Sequence, residues 1–339
     1  MAITIKDVAR ECGMSISTVS KVFNSYPDIS EETRRQVLEV SRRIGYQPNA
    51  IARALKTNRS YNLGVLFVDE NVSGLTHPFF AEVLNAFKTE AEAHGYDITF
   101  INHKLGANAM TYLEHCRYRN VDGVCLACVD FYAPEVLELV HSSIPNVTID
   151  HLFENRPCVL SDNESGIAAL VNYAVAQGHR RIAYVHGQRN STVTDDRISG
   201  FRRAMRENGL PLPEHYLIEG RYLDLRVNRD RVLSLMRLPE PPTCVLLPDD
   251  ESYLGAMEAA RDLDKRIPED FSVAGYDGMR LTQTMRPRLT TMTQDCDALG
   301  REAARRLIQR VERPAAAVNE PEWIQARLTP GETVARLNG

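Results

Sequence analysis

The spacing of apolar positions changes character twice along this 339-residue chain. At first it is helical. In "TIKDVAREC", Val8, Ala9 and Cys12 form one apolar stripe, Thr4 and Asp7 have capping-box spacing, and Gly13 ends the run. "MSISTVSKVFN" comes next, with Ser15 as N-cap and Val19, Val22 and Phe23 on the buried side. Ile16, Ser17, Ser20 and Lys21 are left facing out. A third run starts at Ser30 with acids in its first turn, buries Val37, Val40 and Ile44, and stops at Gly45. "PNAIARALKTNRS" places Ile51, Ala52 and Leu55 at helical spacing, yet its helical part is too short to stand alone in water. From Tyr61 onward, short β-rich runs ("LGVLFV", "YDITFIN", "DGVCLA", "NVTID", "RIAYVHG", "CVLLP", "FSVAGY") alternate with amphipathic helical stretches. That alternation predicts a parallel α/β body with crossover helices.

Two short helices joined by a tight Gly-Met-Ser turn have the helix-turn-helix layout, whose second helix enters a DNA major groove. A three-helix interaction module with no DNA role has the same periodicity. The outward face decides between them, because small hydroxyls, one Lys and one Ile suit close approach to phosphates and base edges. Lys21 can donate to guanine, Ser17 can bond either base type, and Ile16 can meet a thymine methyl. Thr4, Ser15, Thr18, Ser20, Asn24, Ser30 and Thr33 are candidate phosphate contacts, each equally readable as a cap or a solvated residue. Charge agrees. Residues 1–60 carry ten Lys/Arg and six Asp/Glu, a net +4; the remainder carries thirty and thirty-nine, a net −9, which gives the overall −5. A basic head on an acidic body points to an anionic partner for the head only.

The series "TIKDVARECGMSISTVSKVFN", "SEETRRQVLEVSRRIGYQPNAIARALKTNRS" and "GVLFV" resembles the lactose-repressor (LacI/GalR) family of bacterial regulators. The resemblance continues through "HPFFAEVLNAFKTEAEAHGY", "SDNESGIAALVNYAVAQGHRRIAYVHG", "RISGFRRAM", "IPEDFSVAGYDG" and "RPRLTTMTQDCDALGREAARRLI". It implies an all-α helix-turn-helix head over 1–47 and a hinge helix with linker over 48–60. It further implies a two-lobed, periplasmic-binding-protein-like α/β sensor and dimerisation domain over 61–339. It also implies a homodimer on pseudo-palindromic double-stranded operator DNA. In the family the segment matching 48–57 lies in the minor groove, with the residue matching Leu55 wedged between base pairs. Asn49 and Ala52 would then face the groove, and Arg53, Lys56 and Arg59 the phosphates. Ordering of 48–57 only on operator is the corresponding expectation. The final "TPGETVARLNG" shows no heptads, so a dimer is expected rather than a tetramer.

In the body, GxGxxG after a strand, GxxxxGK[ST], HExxH and GxSxG are all missing, and no enzyme, cofactor or metal is expected. The seven cysteines include a CxxC at Cys125 and Cys128, read as packing within a buried strand rather than as a metal or redox pair. Asp69, Asp130, Asp150, Asp249 and Asp277 each come after a β-rich run, where ligands of open α/β sheets bind. Such acids either accept pairs of sugar hydroxyls or cap the next helix, and capping is preferred for Asp69 and Asp130. By the resemblance, Phe79, Phe80, Asp150, Arg197, Tyr222, Asp249, Asp277 and Gln294 match effector contacts. Arg197 would bind the ligand directly or hold Asp277 in the empty site. Three departures stand out against the family. The loop "DENVSGLTHPFF" is longer, Asp249-Asp250 replaces Asn-Asp, and Gly278 stands where a second acid is common.

The expected function is a repressor whose operator affinity is controlled by a small carbohydrate between the lobes. The alternative is a purine- or nucleoside-responsive regulator of the same architecture. A sugar-transport binding protein would predict a signal peptide and no helix-turn-helix, whereas "MAITIKDVAREC" has no apolar signal core and opens a helix-turn-helix pattern. No apolar run approaches membrane-spanning length, and a cytoplasmic, operator-associated protein is expected.

Overall fold

Three helices, α1 (Ile5–Cys12), α2 (Ile16–Phe23) and α3 (Glu31–Ile44), build the head. The structure, a computed structural model, describes residues 3–23, 26, 28–47, 59–68, 74–189 and 191–337. It divides into two compact units, Met1–Tyr61 and Asn62–Gly339. The head core is the union of the three apolar stripes: Val8, Ala9 and Cys12 of α1, Val19 and Val22 of α2, and Val37 of α3. Phe23 and Tyr46 close it with ring centroids 5.4 Å apart. Gly13 ends α1 at φ 66°. A Cβ there would touch nothing within 4 Å, so the left-handed backbone, not space, is what calls for glycine. The hinge segment, with Asn49, Ala52, Leu55 and Lys56, lies outside the described residues, as do Asn24 and Asp69.

The larger unit contains two open sheets. The first lobe contributes β1 (Asn62–Phe67), α4 (Pro78–Ala93), β2 (Asp97–Phe100), a short hairpin of β3 (Lys104–Leu105) and β4 (Asn108–Ala109), α5 (Tyr112–Tyr118), β5 (Gly123–Ala127), α6 (Pro134–His141), β6 (Asn146–Ile149) and β7 (Cys158–Ser161). The chain then enters the second lobe through α7 (Asn163–Ala176), β8 (Ile182–His186), α8 (Thr192–Glu207), β9 (Leu217–Glu219), α9 (Leu225–Met236) and β10 (Cys244–Leu246). That lobe goes on with α10 (Ser252–Asp262), β11 (Ser272–Asp277), α11 (Arg280–Thr284) and β12 (Thr290–Thr293). It returns to the first lobe for α12 (Cys296–Glu312) and β13 (Glu322–Ile324), then supplies β14 (Arg327–Thr329) to the second sheet.

The sheets run β13-β7-β6-β5-β1-β2 and β14-β12-β11-β10-β8-β9; among the described residues of these two sheets, only the β12–β14 pair is antiparallel. Both are doubly wound, with their order reversing beside β1 and beside β8. The predicted β-rich runs all form strands. Unpredicted β12 ("TTMT") has a polar composition that hides it. Thr290 accepts from Gly331 N at 2.9 Å, and Thr291 donates to Asp250, so both hydroxyls are satisfied in the interior. Across the first lobe, α12 packs on α4, where buried Glu90 receives Arg301 at 3.1 Å and Arg305 at 2.9 Å. The hydrogen bond from Arg305 holds the Glu90 carboxyl below its ordinary range against the opposing effect of burial.

Candidate ligand cleft and nucleic-acid interface

The carboxyl ends of both sheets open on one cleft of about 720 Å³. Its walls come from the segments after β1, β5 and β6 in the first lobe and after β8, β9, β10 and β11 in the second. These include both places where strand order reverses, the expected position for a ligand in this architecture. Eight described non-glycine residues have positive φ, and four of them (Cys128, Asp150, Leu223 and Asp277) line this cleft. A left-handed non-glycine residue is costly, so the concentration marks the cleft as the place where shape outranks local backbone ease.

Phe79 and Phe80, at the start of α4, are buried edge to face with centroids 5.0 Å apart. His77 caps that helix by accepting from Phe80 N at 3.3 Å, and Phe67 backs the Phe80 ring at 5.3 Å. Opposite them, Tyr222 bonds Thr194 through its hydroxyl at 3.0 Å. Its ring sits so close to Gly187 that a Cβ there would lie 2.1 Å from it. Glycine at 187 is therefore what lets Tyr222 reach the cleft wall.

The acids differ in how far the protein already uses them. Asp249 accepts from Leu223 N and from Ser252 N and Oγ, each at 2.8 Å, which occupies three of its roughly four lone-pair positions. Asp249 thus ties the β9 loop to the start of α10 while still lining the cleft. Neighbouring Asp250 is fully internal, accepting from Met279 N at 2.7 Å and from two threonine hydroxyls, and burial pushes its carboxyl up to about 8. Asp150 accepts from Ser161 N at 2.7 Å and is raised by burial. Asp277 accepts from Gln294 Nε2 at 2.8 Å; burial pushes it up to about 7 despite nearby Arg197. Exposed Asp130 accepts from Tyr132 N at 2.9 Å and so shapes its own turn.

Arg197 and Gln294 are not among the lining residues; they stand behind Asp277. The Arg197 guanidinium donates to Asn163 Oδ1 at 2.8 Å and to Pro248 O at 2.9 Å, lies 3.9 Å from Asp277, and rests 3.6 Å over the Tyr276 ring. Two of its five N–H donors are thus committed to the scaffold, and its remaining charge faces Asp277. Cys128 corrects the strand reading of the CxxC. Only Cys125 lies in β5, while Cys128 sits just beyond it with φ 53° and lines the cleft. Among the described residues, no group of three or more His, Cys, Asp or Glu is placed to hold a metal.

Sequence reasoning missed a second set of rings. Phe131 and His151 stack with centroids 4.3 Å apart and planes 5° from parallel, Tyr132 meets His151 edge-on at 5.5 Å, and Phe153 backs it at 4.6 Å. Phe131 and Tyr132 come directly after the "GVCLACVD" run, and His151 directly after Asp150, so a strand-end aromatic was the available signal.

In the head, Ser15 Oγ accepts from Thr18 N at 3.0 Å and Ser30 Oγ from Thr33 N at 3.2 Å, so all four hydroxyl residues serve helix starts. The hydroxyls of Ser15 and Thr18 also pair with each other, as do those of Ser30 and Thr33. Thr4 N and Oγ1 both donate to Asp7. Ile16 is 46% exposed at the first position of α2, Ser17 is exposed beside it, and Ser20 is half-buried. Lys21 forms an ion pair with Asp28, whose carboxyl it holds below the ordinary range.

Similarity to known proteins respects the same division. Residues 4–49 match the bacterial regulatory proteins of the lacI family, and residues 171–334 match a periplasmic binding protein-like domain. The HTH-type transcriptional repressor PurR of Vibrio vulnificus (strain CMCP6) is 32% identical, covering 91% of this chain and 92% of that protein. The ribose operon repressor of Escherichia coli (strain K12) is 31% identical, with 92% and 94% covered. The fold is also that of the lac repressor dimer crystallised with operator and the anti-inducer ONPF, at a TM-score of 0.79 and 24% identity over 99% of this chain and 100% of that one. These relatives are regulators rather than enzymes, and no described helix is long and apolar enough to cross a membrane. Identity of this extent, running through head and body alike, makes the chain a member of the LacI family of bacterial transcriptional repressors.

Proposed function

We propose that this repressor acts as a homodimer on a pseudo-palindromic operator and that a neutral carbohydrate in the cleft controls its affinity for that operator. The observation that carries the ligand class is the cleft lining, in which aspartates outnumber the single Arg189 while rings supply the opposite wall. Carboxylates accept from vicinal hydroxyls, and aromatic faces cover the apolar side of a sugar ring. Asp277 and Asp150 retain more open acceptor positions than Asp249 and are the primary hydroxyl partners. Phe79, Phe80 and Tyr222 form the walls, and Arg197 and Gln294 position Asp277. One relative is named for a ribose operon and another is PurR, so kinship alone leaves the ligand class open and the cleft chemistry has to decide. A purine base offers ring N–H donors to one carboxylate or two but no vicinal hydroxyls, so a lining with several acids favours the hydroxyl-rich ligand.

On the DNA side, Ile16, Ser17 and Lys21 read bases, and Thr4, Ser15, Thr18, Ser20, Ser30 and Thr33 meet phosphates. Lys21 would exchange Asp28 for its DNA partner. The ligand acts by binding one lobe arrangement better than the other, since only differential affinity shifts such an equilibrium. Residues 48–57 are proposed to carry that shift to the head.

The test is a thermal-shift panel of mono- and disaccharides beside nucleobases, with hits carried into operator-binding assays. Wild type is expected to respond to a sugar, and Asp277→Ala to bind operator normally but ignore that sugar. A hit confined to purines overturns the ligand assignment. Lys21→Ala should cost about 1–3 kcal/mol on the preferred operator only; uniform weakening on all DNA makes Lys21 a phosphate contact.

A further inference from the structure

We infer that Asp28 is a second base-reading residue and that with Lys21 it reads one G·C pair across both bases, Lys21 donating to guanine and Asp28 accepting from the amino group of the paired cytosine. This rests on the base-reading role proposed for Lys21 and adds the residue that completes it. The chain turns back directly after α2, where Tyr26 N donates to Lys21 O at 3.1 Å. Arg34 of α3 donates to Tyr26 O at 3.1 Å, and on the other side Ile29 packs against the head core. Asp28 is thus held between two anchored residues and ion-paired to Lys21. Both side chains face solvent, at 40% exposure for Lys21 and 53% for Asp28.

A pair this exposed contributes little to stability. Nor does Asp28 start a helix, because Ser30 is the N-cap of α3. Asp7, by contrast, completes the capping box of α1. An acid beside a base-reading lysine also opposes the attraction between the head and phosphates. No structural task of the head accounts for Asp28, whereas a donor on the DNA would.

The exchange of partners on binding identifies that donor. When Lys21 leaves Asp28 for guanine, the carboxylate closes on a polyanion without its cation, which is costly unless a donor replaces it. Base edges in the major groove offer two such donors, cytosine N4 and adenine N6. In a G·C pair, N4 donates to guanine O6, so the acceptor for Lys21 and the donor for Asp28 stand one hydrogen bond apart, about 3 Å. The ion pair sets its own donor and acceptor at hydrogen-bond separation, which matches that edge. Guanine offers Lys21 both O6 and N7, whereas adenine offers N7 alone, so G·C suits both side chains.

The full chain can select its half-site from a randomised duplex pool. The base pair whose preference Lys21→Ala erases is then the Lys21 position, and G·C is expected there. Anisotropy titrations compare the selected duplex with one in which N4-methylcytosine replaces that cytosine and blocks the amino hydrogen facing the groove. Wild type should bind the methylated duplex about fivefold or more weakly. Asp28→Ala should lose the same factor on the unmodified duplex and show a methylation penalty within about twofold. Tighter binding of Asp28→Ala to every duplex makes Asp28 a repulsive neighbour only, and overturns the inference while the Lys21 reading stands. So does a methylation penalty that survives Asp28→Ala. An A·T pair at the Lys21 position, or no position at which Lys21→Ala erases a preference, overturns both.

Discussion

The first lobe presents rings to the cleft and the second presents charge, although their sheets share one strand order. After β1, β5 and β6 stand Phe79, Phe80, Phe131, Tyr132 and His151, with Asp150 as their one deep acid. After β8 to β11 stand Tyr222, Asp249 and Asp277, with Arg197, Asn163 and Gln294 holding them from behind. The apolar wall is secured by packing and tolerates adjustment. The charged wall is secured by directed bonds in a dry interior, where an unmatched group is costly. The same topology thus yields a compliant face and a rigid one, and a ligand held between them senses both.

Breaking the rigid face should have the largest effect. Arg197→Ala strands the Asn163 and Pro248 acceptors, leaves Asp277 without its cation, and is expected to lower stability by about 3–5 kcal/mol in urea unfolding. A change below about 1 kcal/mol would show that the network is dispensable. The matching break in the compliant face, Phe80→Ala, opens a void beside Phe67 and Phe79 and should cost about 3 kcal/mol. It should weaken the ligand without altering how its affinity depends on pH.

That pH dependence belongs to the charged wall. Hydroxyl donors favour ionised Asp277, whose carboxyl burial raises to about 7. Binding therefore releases a proton below about pH 7. Affinity should fall by up to about tenfold per pH unit on going below that value and level off above it. Gln294→Ala removes a donor to the carboxylate, raises the Asp277 pKa, and should move the break in a calorimetric pH series upward. A profile that stays flat in wild type removes Asp277 from the contact. The smallest effect is expected at the rim. The Arg189–Asp195 pair is more than half exposed on both sides, so Arg189→Ala should change stability by less than about 1 kcal/mol.

Legibility in the sequence fell along the same divide. The head could be read almost residue by residue, because capping hydroxyls, apolar stripes and terminal glycines act locally. Strand-end aspartates were also visible, because parallel strands bring their carboxyl ends to one edge. What each aspartate does was not visible. Asp249 is committed to Leu223 N and Ser252, and those donors arrive from a different loop and the next helix. The second set of rings joins residues 131–132 to 151 and 153 across an intervening helix and strand, a juxtaposition that no periodicity encodes. Strand β12 escaped because buried threonines look like surface until their partners are known.

The left-handed residues at the cleft have a consequence for engineering. Cys128 and Leu223 hold a conformation that glycine would accept at lower cost. A search for heat-resistant variants will therefore find easy gains at these positions. Each such gain slackens the loops that give the cleft its shape, so the variants that survive heating best should report their ligand worst. The same few backbone angles thus bear on both the stability and the shape of the cleft.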